Sequence, residues 1–285
     1  MATLTLRPLA SGDLPTLDAL CAGRNVHPRE YERFLALEGA GGFVLADERG
    51  TLGAVTTLRY FEHGFLGPVL LSPDVEGGAG AGIALVVRAI EALRAAGVNA
   101  IEVQATEADA HVLLRLGFRV EGGTTVWERA PGAVGGDGAE GGGTREMGIG
   151  DLLDVGALDA DAVGWGRKEY LAQLRDEMPA SARVVESPGG DVAGYALARR
   201  ARRGHHLGPL VARAGVDVAP LLRDAVARVA HEPLTALATD RAASALDALG
   251  FRRVGAFARM RAGPALDAQL GSDAVEWLLG GRLTG

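Results

Sequence analysis

A glycine-rich stretch near residue 80 has the composition of an anion-binding loop. Residues 77–82 read GGAGAG; they follow a strand-like segment that ends at Pro73 and precede an apolar stretch with helical spacing. Such a loop presents backbone N–H groups, and the first turn of the following helix adds its own, so that together they can cradle an anion. Two other interpretations stay open. The glycines could be mere slack, or they could form a dinucleotide fingerprint, which would need a third glycine where Ile83 stands.

Two ionisable residues, Glu62 and His63, precede the apolar segment FLGPVLL, which has no ionisable side chain of its own. A carboxylate or an imidazole can act as a general base, so both are candidates for that role. The alternative is that they are solvated turn residues, and it applies equally to His111 and, at the equivalent turn further along, to His205 and His206. No spacing of histidine, cysteine and acidic residues predicts a metal site.

Composition limits the class of protein. The chain has 285 residues, is 48% hydrophobic, and carries a net charge of -7 with a pI near 5.4, which argues against a nucleic-acid binder. No apolar run approaches the ~18 residues of a membrane span, and the first residues lack the apolar core of a signal peptide. Cys21, the single cysteine, excludes an intrachain disulfide, fits a reducing compartment and is expected in the packed core. We therefore expect a soluble cytoplasmic protein.

The chain repeats itself. RPLASGDLPTLDAL from Arg7 aligns with REMGIGDLLDVGAL from Arg145, LGP occurs at 66 and 207, and LGF occurs at 116 and 249. Several matches in the same order indicate a duplication. Residues 131–143, PGAVGGDGAEGGG, are typical of a flexible linker. The predicted domains are therefore 1–130 and 144–285, and the second has lost eight residues from the segment that holds the glycine loop in the first.

The hydrophobic pattern of each half predicts the element order β-α-α-β-β-β-α-β-α-β-β. In the first half it places tight turns at 48–51 and 63–64, a helix over 83–96 that stops at Gly97, and a closing hairpin over 118–129. The predicted fold class is α/β (α+β): a mixed, twisted sheet flanked by helices on both faces, repeated once.

This order, with a strand, loop and helix at its centre, resembles the GNAT-type acyl-coenzyme A transferases. Leu71-Ser72-Pro73 and Gly80-Ala81-Gly82-Ile83-Ala84-Leu85 match the family's central segment, and VQATEADAHVLLRLGF is similar to a segment of one bacterial branch. That branch carries a second, degenerate copy of the fold. The residues of the second half that match its pattern are Gly164-Trp165-Gly166-Arg167, Gly194-Tyr195, Leu207-Gly208-Pro209, Val211-Ala212, Gly250-Phe251, Arg259-Met260 and Gly263.

The resemblance implies a coenzyme site in the first half, with the glycine loop holding the pyrophosphate. The implied coenzyme-binding residues are Leu70, Leu71, Gly77, Gly78, Ala79, Gly80, Ala81, Gly82, Ile83, Thr106 and His111. Trp165 could line an acceptor pocket or be buried against its own domain. The family's loop arginine is replaced by Glu76 or Gly77, and its proton-donating tyrosine by Leu113, with Leu246 in the second copy.

The implied activity is transfer of an acetyl or other acyl group from acetyl-coenzyme A or another acyl-coenzyme A to an amine of a small molecule or protein. No metal is implied, and the expected state is a monomer or homodimer. The missing arginine and tyrosine predict slow turnover. The alternative is a non-catalytic acyl-coenzyme A-binding or sensor protein.

Overall fold

The computed structural model describes residues 4–21, 28–48, 50–76, 80–132, 143–264 and 273–280. The chain forms two compact units that are not contiguous halves. Unit 1 comprises 1–122, 258–265 and 282–285, and unit 2 comprises 123–257 and 266–281.

Unit 1 contains a mixed sheet with helices packed against it. Its strands are β1 (Thr5–Pro8), β2 (Ala40–Asp47), β3 (Gly50–Tyr60), β4 (His63–Leu66), β5 (Leu70–Leu71), β6 (Ala100–Ala105) and the first residues of β7 (Arg119–Arg129). Its helices are α1 (Leu14–Leu20), α2 (Pro28–Leu35), α3 (Pro73–Glu76), α4 (Ala81–Ala95) and α5 (Glu107–Arg115). The strand order is β1-β2-β3-β4-β6, with β5 paired to β3. Leu85, Ala89 and Leu93 form the buried stripe of α4 that covers this sheet.

Unit 2 repeats the architecture. Its strands are β8 (Thr144–Glu146), β9 (Arg183–Glu186), β10 (Val192–Arg200), β11 (His205–Arg213), β12 (Leu234–Ala238), β13 (Arg252–Ala262, shared with unit 1) and β14 (Ala274–Leu278). Its helices are α6 (Leu152–Val163), α7 (Lys168–Glu177), α8 (Ala219–Ala227) and α9 (Ala243–Ala248). Short 3-10 turns lie at Ile149–Asp151, Pro179–Ser181 and Asp240–Ala242, and unit 1 has one at Ser11–Asp13. The strand order is β8-β9-β10-β11-β14-β12-β7.

Each unit takes one strand from the other half of the sequence. Residues 258–262 of β13 pair with 101–105 of β6 in unit 1, and residues 125–129 of β7 pair with 234–238 of β12 in unit 2. The predicted hairpin over 118–129 is therefore wrong. Gly122 and Gly123 do not turn; the segment runs straight through them as one strand because its partner is β12.

The repeat is visible in an ion pair that lies near the beginning of each copy of the repeated sequence. Arg7 donates to both carboxylate oxygens of Asp13 at 2.8 and 2.6 Å, and Asp13 also accepts the Ala10 N–H at 2.9 Å. Arg145 and Asp151 make the same pair at 2.7 and 2.8 Å, and Gly148 donates its N–H there. The shared R and G-D-L residues of the repeat thus have the same structural role twice.

Candidate functional site

A cleft opens in unit 1 where two parallel strands separate. β4 and β6 pair from His63 and Ala100 to Leu66 and Val103. Beyond Leu66 the chain moves away from β6, because Gly67 donates its N–H to Thr56 on β3 at 2.9 Å and β5 pairs with β3. Pro68 has no N–H to donate. The two strands therefore leave a wedge-shaped gap between them.

The gap holds a cavity of about 600 Å³. Most of its lining is apolar, and Asp109 is the single ionisable side chain among the lining residues that the structure describes. The lining residues are Leu66, Gly67, Pro68, Val69, Leu71, Gly82, Ile83, Val86, Val103, Gln104, Ala105, Thr106, Ala108, Asp109, Val112 and Leu113. Such walls suit a long, largely apolar ligand that carries a few polar groups.

The first turn of α4 borders the cavity. The N-cap residue is Gly80, which has no side chain to cap the first turn, and Gly82 and Ile83 of that turn line the cavity. Unpaired N–H groups at a helix N-terminus carry about half a positive charge and attract anions. A Cβ on Gly82 would lie 3.3 Å from Leu71 Cδ1, so a side chain there would narrow the cavity.

The structure brings together part of the predicted coenzyme set. Leu71, Gly82, Ile83 and Thr106 line the cavity, and Gly80 and Ala81 begin the helix beside them. Two other positions do not line it: Leu70 is buried in β5, and His111 is exposed on α5. Gly77, Gly78 and Ala79 lie outside the described residues. Thr106 also caps α5, since its hydroxyl accepts the Asp109 N–H at 3.2 Å.

The two candidate bases differ sharply in environment. The predicted turn at 63–64 is wrong, since the register pairs Tyr60 with His63 and leaves Phe61 and Glu62 as the two-residue turn. Glu62 is exposed and accepts a hydrogen bond from the Asn99 side-chain amide at 2.9 Å. His63 is 4% exposed and begins β4, so it is not a solvated turn residue. Neither is among the residues that line the cavity.

Glu102 is a charged residue of this region that the sequence analysis did not single out. It lies buried on β6, where Arg261 donates to its Oε1 at 2.6 Å and Arg259 to its Oε2 at 3.3 Å. His63 Nε2 lies 3.6 Å from Oε1, an ion-pair distance that is longer than a hydrogen bond. Burial alone raises the pKa of Glu102, but His63 and the two guanidinium groups outweigh it and hold the pKa at about 2.

Unit 2 contains a second buried charged cluster. Arg167 is 1% exposed and donates to Asp159 at 2.8 and 3.0 Å and to Glu276 at 3.0 Å, while the Tyr195 hydroxyl donates to Asp159. Burial, followed by the Asp159 charge, raises the pKa of Tyr195 well above its usual value. Trp165 lies nearby in sequence, between α6 and α7, and it is buried in the core of its own unit.

Among the described residues, no group of three or more histidine, cysteine, aspartate or glutamate side chains could hold a metal ion. Among the helices described, none is long and apolar enough to cross a membrane.

Comparison with known proteins supports the fold. Residues 155–271 match the family model described as an acetyltransferase (GNAT) domain. An acetyltransferase structure from Pyrococcus horikoshii superposes with a TM-score of 0.79 at 17% identity, covering 99% of this chain and 96% of that one. A GCN5-related N-acetyltransferase from Sphaerobacter thermophilus gives 0.65 at 16% identity, covering 90% and 95%. A tandem GNAT protein from the clavulanic acid biosynthesis pathway gives 0.65 at 17%, covering 92% and 100%. No curated protein sequence matches the chain.

At these identities the structural matches establish the fold alone. The predicted fold class is confirmed: a mixed sheet flanked by helices, in a tandem arrangement that matches GNAT structures along nearly the whole chain. The family model matches the second half of the sequence, although the cavity lies in unit 1. The chain therefore has the tandem fold of GNAT acetyltransferases, and its residues 155–271 match that family's domain.

Proposed function

We propose that the protein transfers an acetyl or other acyl group from acetyl-coenzyme A or a related acyl-coenzyme A to an amine of a small molecule or protein. The observation that carries the proposal is the wedge between β4 and β6, with its cavity of about 600 Å³ bordered by the first turn of α4. Coenzyme A combines an extended arm containing two amide groups with a pyrophosphate. A cleft between separated strands suits the arm, and a helix N-terminus suits the pyrophosphate.

Two sets of backbone groups would bind the two parts of coenzyme A. Strand edges beyond Leu66 and Val103 would pair with the amides of the arm, while N–H groups of Gly82 and Ile83 would hold the pyrophosphate. A surface cation is worth only about 0.2–1 kcal/mol, so absence of the loop arginine weakens binding without abolishing it.

The uncharged amine nitrogen adds to the thioester carbonyl carbon and gives up one proton to water, and the carbon–sulfur bond then breaks to release the thiolate. The Val69 N–H is the first backbone donor after Pro68 and would stabilise the oxyanion. Leu113 lines the cavity where the family uses a tyrosine. The thiolate would therefore take its proton from water, and a thiol pKa of about 8.5 permits this.

A base role for His63 would require a water relay. Strands rise about 3.3 Å per residue, so the Cα atoms of His63 and Leu66 are about 10 Å apart. Attack by an amine that has already lost its proton to water needs no such relay. Replacing His63 with Ala distinguishes the two routes. A relay predicts about a 10²-fold lower kcat with coenzyme affinity unchanged, and Glu62→Ala serves as the exposed neighbouring control.

One observation favours a second candidate, a non-catalytic acyl-coenzyme A-binding protein. Asp109 is the sole ionisable side chain among the described residues of the cavity lining, and it is engaged with Thr106 at 2.7 Å. The deciding experiment incubates the full chain with acetyl-coenzyme A and a panel of amines, and measures released thiol and coenzyme binding together. Amine-dependent thiol release supports the transferase, binding without release supports the second candidate, and absence of binding contradicts both.

We also propose a cellular location for the protein and a different role for each half of the chain. The single, buried Cys21 supports a cytoplasmic location. We further propose that the second half is a degenerate copy, for the reasons that follow.

A further inference from the structure

Unit 2 contains the counterpart of the unit 1 cleft. β11 and β12 pair in parallel up to Leu207 and Ala236. The repeat aligns these two residues with Leu66 and Val103, at constant offsets of 141 and 133. Beyond this point β11 and β12 also separate, so the duplicated frame reproduces the wedge.

In unit 2 a strand of the chain itself fills the wedge. β14 lies between the separated ends, with Leu278 opposite Leu210 of β11 and also opposite Ala238 of β12. By the same offsets Leu210 and Ala238 correspond to Val69 and Ala105, both of which line the unit 1 cavity. The strand therefore runs where the equivalent cavity would be.

Main-chain bonds hold β14 on the β12 side. Thr239 donates its N–H to the Trp277 carbonyl at 3.1 Å, and Leu279 donates to the Leu237 carbonyl at 2.9 Å. The side chain of Leu278 is fully buried. A Cβ on Gly208 would overlap with the Leu279 carbonyl oxygen, so the close approach of this segment requires glycine there.

Side chains from two other elements hold the same segment. The buried Arg167 donates to Glu276 at 3.0 Å, and the Tyr170 hydroxyl donates to the Gly280 carbonyl at 2.9 Å. His206 Nε2 lies 3.3 Å from the Leu279 carbonyl oxygen. A buried guanidinium engaged by two acids releases either of them at a large cost, so the strand is anchored firmly.

The start of the helix beside the unit 2 cleft also differs from its counterpart in unit 1. α8 is nine residues long against fifteen in α4, and the Asp217 carboxylate accepts the Ala219 N–H at 3.0 Å beside the start of the helix. Pro220 removes a further N–H. A carboxylate of the chain thus stands at the start of α8, whereas the N-cap residue of α4, Gly80, has no side chain to accept a hydrogen bond.

We propose that β14 is a built-in occupant of the second coenzyme cleft, an extended amide chain in the place of the coenzyme's arm, so that the protein binds one acyl-coenzyme A per chain and only in unit 1. The proposal rests on the proposed function of the unit 1 cleft. Its chemical basis is that a strand and the arm of coenzyme A present the same kind of amide donors and acceptors to the same strand edges.

The first test is a calorimetric titration of the full chain with coenzyme A. We expect one molecule per chain, and we expect Gly82→Trp, which fills the unit 1 cavity, to weaken binding at least 100-fold. Ala219→Trp at the start of α8 is the matched control and should leave binding unchanged. Two molecules per chain, or binding lost in Ala219→Trp but not in Gly82→Trp, overturns the inference. No binding at all overturns the proposed function, and the inference falls with it.

The second test follows β14 itself. Hydrogen exchange of the amides in 274–279 should be equally slow with and without saturating coenzyme A. Faster exchange when coenzyme is added would mean that the ligand displaces the strand, which contradicts a permanent occupant.

The third test opens the cleft. In the Gly82→Trp background, Leu278→Asp places a carboxylate at a fully buried position and should expel β14, restoring one weak coenzyme site. If unit 2 loses its fold, Glu276→Ala weakens the anchor more gently. A variant that keeps its circular dichroism and loses protection over 274–279, yet still binds no coenzyme, would show that β14 is not the obstacle.

Discussion

The clefts of unit 1 and unit 2 each contain an LGP tripeptide and an equivalent pair of parallel strands. In unit 1 the cleft contains a cavity, and in unit 2 it contains a strand. The two frames agree because both units have the same parallel strand pairing, and each packs a hydrophobic core of its own against its sheet. They differ in two short segments, the start of the central helix and the C-terminal strand. If coenzyme binds in unit 1 alone, as proposed above, then segments that contribute little to the frame determine which unit binds a ligand.

The buried charged clusters of the two units have opposite arrangements of charge. In unit 1 a single acid, Glu102, is engaged by two arginines and a histidine; in unit 2 a single arginine, Arg167, is engaged by two acids. In each case at least one partner comes from a strand that is distant in sequence. The charge clusters thus anchor β13 in unit 1 and β14 in unit 2.

Removing the central charge of each cluster is expected to have the largest effect on stability. Glu102→Gln and Arg167→Met each leave like charges buried together, and such losses cost about 3–5 kcal/mol. Urea denaturation of the full chain measures the free energy of unfolding. Arg213→Met, which breaks the exposed Arg213–Asp273 pair at 2.8 Å, is the control and should cost at most about 1 kcal/mol. Equal losses in all three variants would remove the distinction between buried and exposed pairs.

Acid should weaken unit 1 through Glu102. Its pKa is about 2 in the folded protein against an ordinary value of 4.5. Because the folded pKa is the lower one, the carboxylate contributes about 3 kcal/mol at pH values above the ordinary pKa, and this contribution is lost as the pH falls from 4.5 towards 2. Urea midpoints measured across that range should fall more steeply in the wild type than in Glu102→Gln. Parallel curves would mean that another group dominates acid unfolding.

A side chain added at the start of α4 in unit 1 should reduce the affinity for coenzyme A by about 100-fold, or 2.7 kcal/mol. Gly80→Val suits this test because, among the residues that the structure describes, no atom beyond the chain neighbours lies within 4 Å of the added Cβ, so the fold should tolerate it. Gly150→Val in unit 2, where the space is equally open, is the matched control for stability and binding. Unchanged affinity in Gly80→Val would separate the pyrophosphate from this helix.

The smallest expected effect concerns the start of α8. Asp217→Ala removes the acceptor of the Ala219 N–H and should cost unit 2 about 1 kcal/mol, the usual net contribution of one hydrogen bond. Coenzyme stoichiometry should stay at one, because β14 still fills the cleft. A second coenzyme molecule bound by this variant would mean that Asp217, rather than the strand, closes unit 2.

Sequence patterns were sufficient where the determining contacts are local. The helix stop at Gly97 and the turn after α5 at Gly117 both adopt the left-handed backbone that glycine favours, with φ of +85° and +86°. The predicted element order of the first half is followed up to α5, except that the third of the three adjacent strands forms as β4 and β5 and that the short helix α3 precedes α4. The shared motif of Arg7 and Arg145 also marks a real repeat, since each makes the same ion pair.

Contacts over long separations could not be predicted in this way. Glu102 meets Arg259 and Arg261 at separations of 157 and 159 residues, and no local pattern couples them. The segment 118–129 contains two adjacent glycines that favour a turn, but pairing with β12 keeps it extended. Among the described residues of the first half β14 has no counterpart, so the repeat that reveals the rest of unit 2 gives no signal for it.

The exchange of β7 and β13 has a consequence for synthesis on the ribosome. The sheet of unit 1 gains its last strand at Ala262, 140 residues after Gly122. At translation rates of 5–20 residues per second this interval lasts roughly 7 to 28 s. During that time the edge of β6 on the nascent chain lacks its native partner, and unpaired strand edges invite association with other chains. The sheet of unit 1 can therefore be completed only after residues 258–262 have been synthesised.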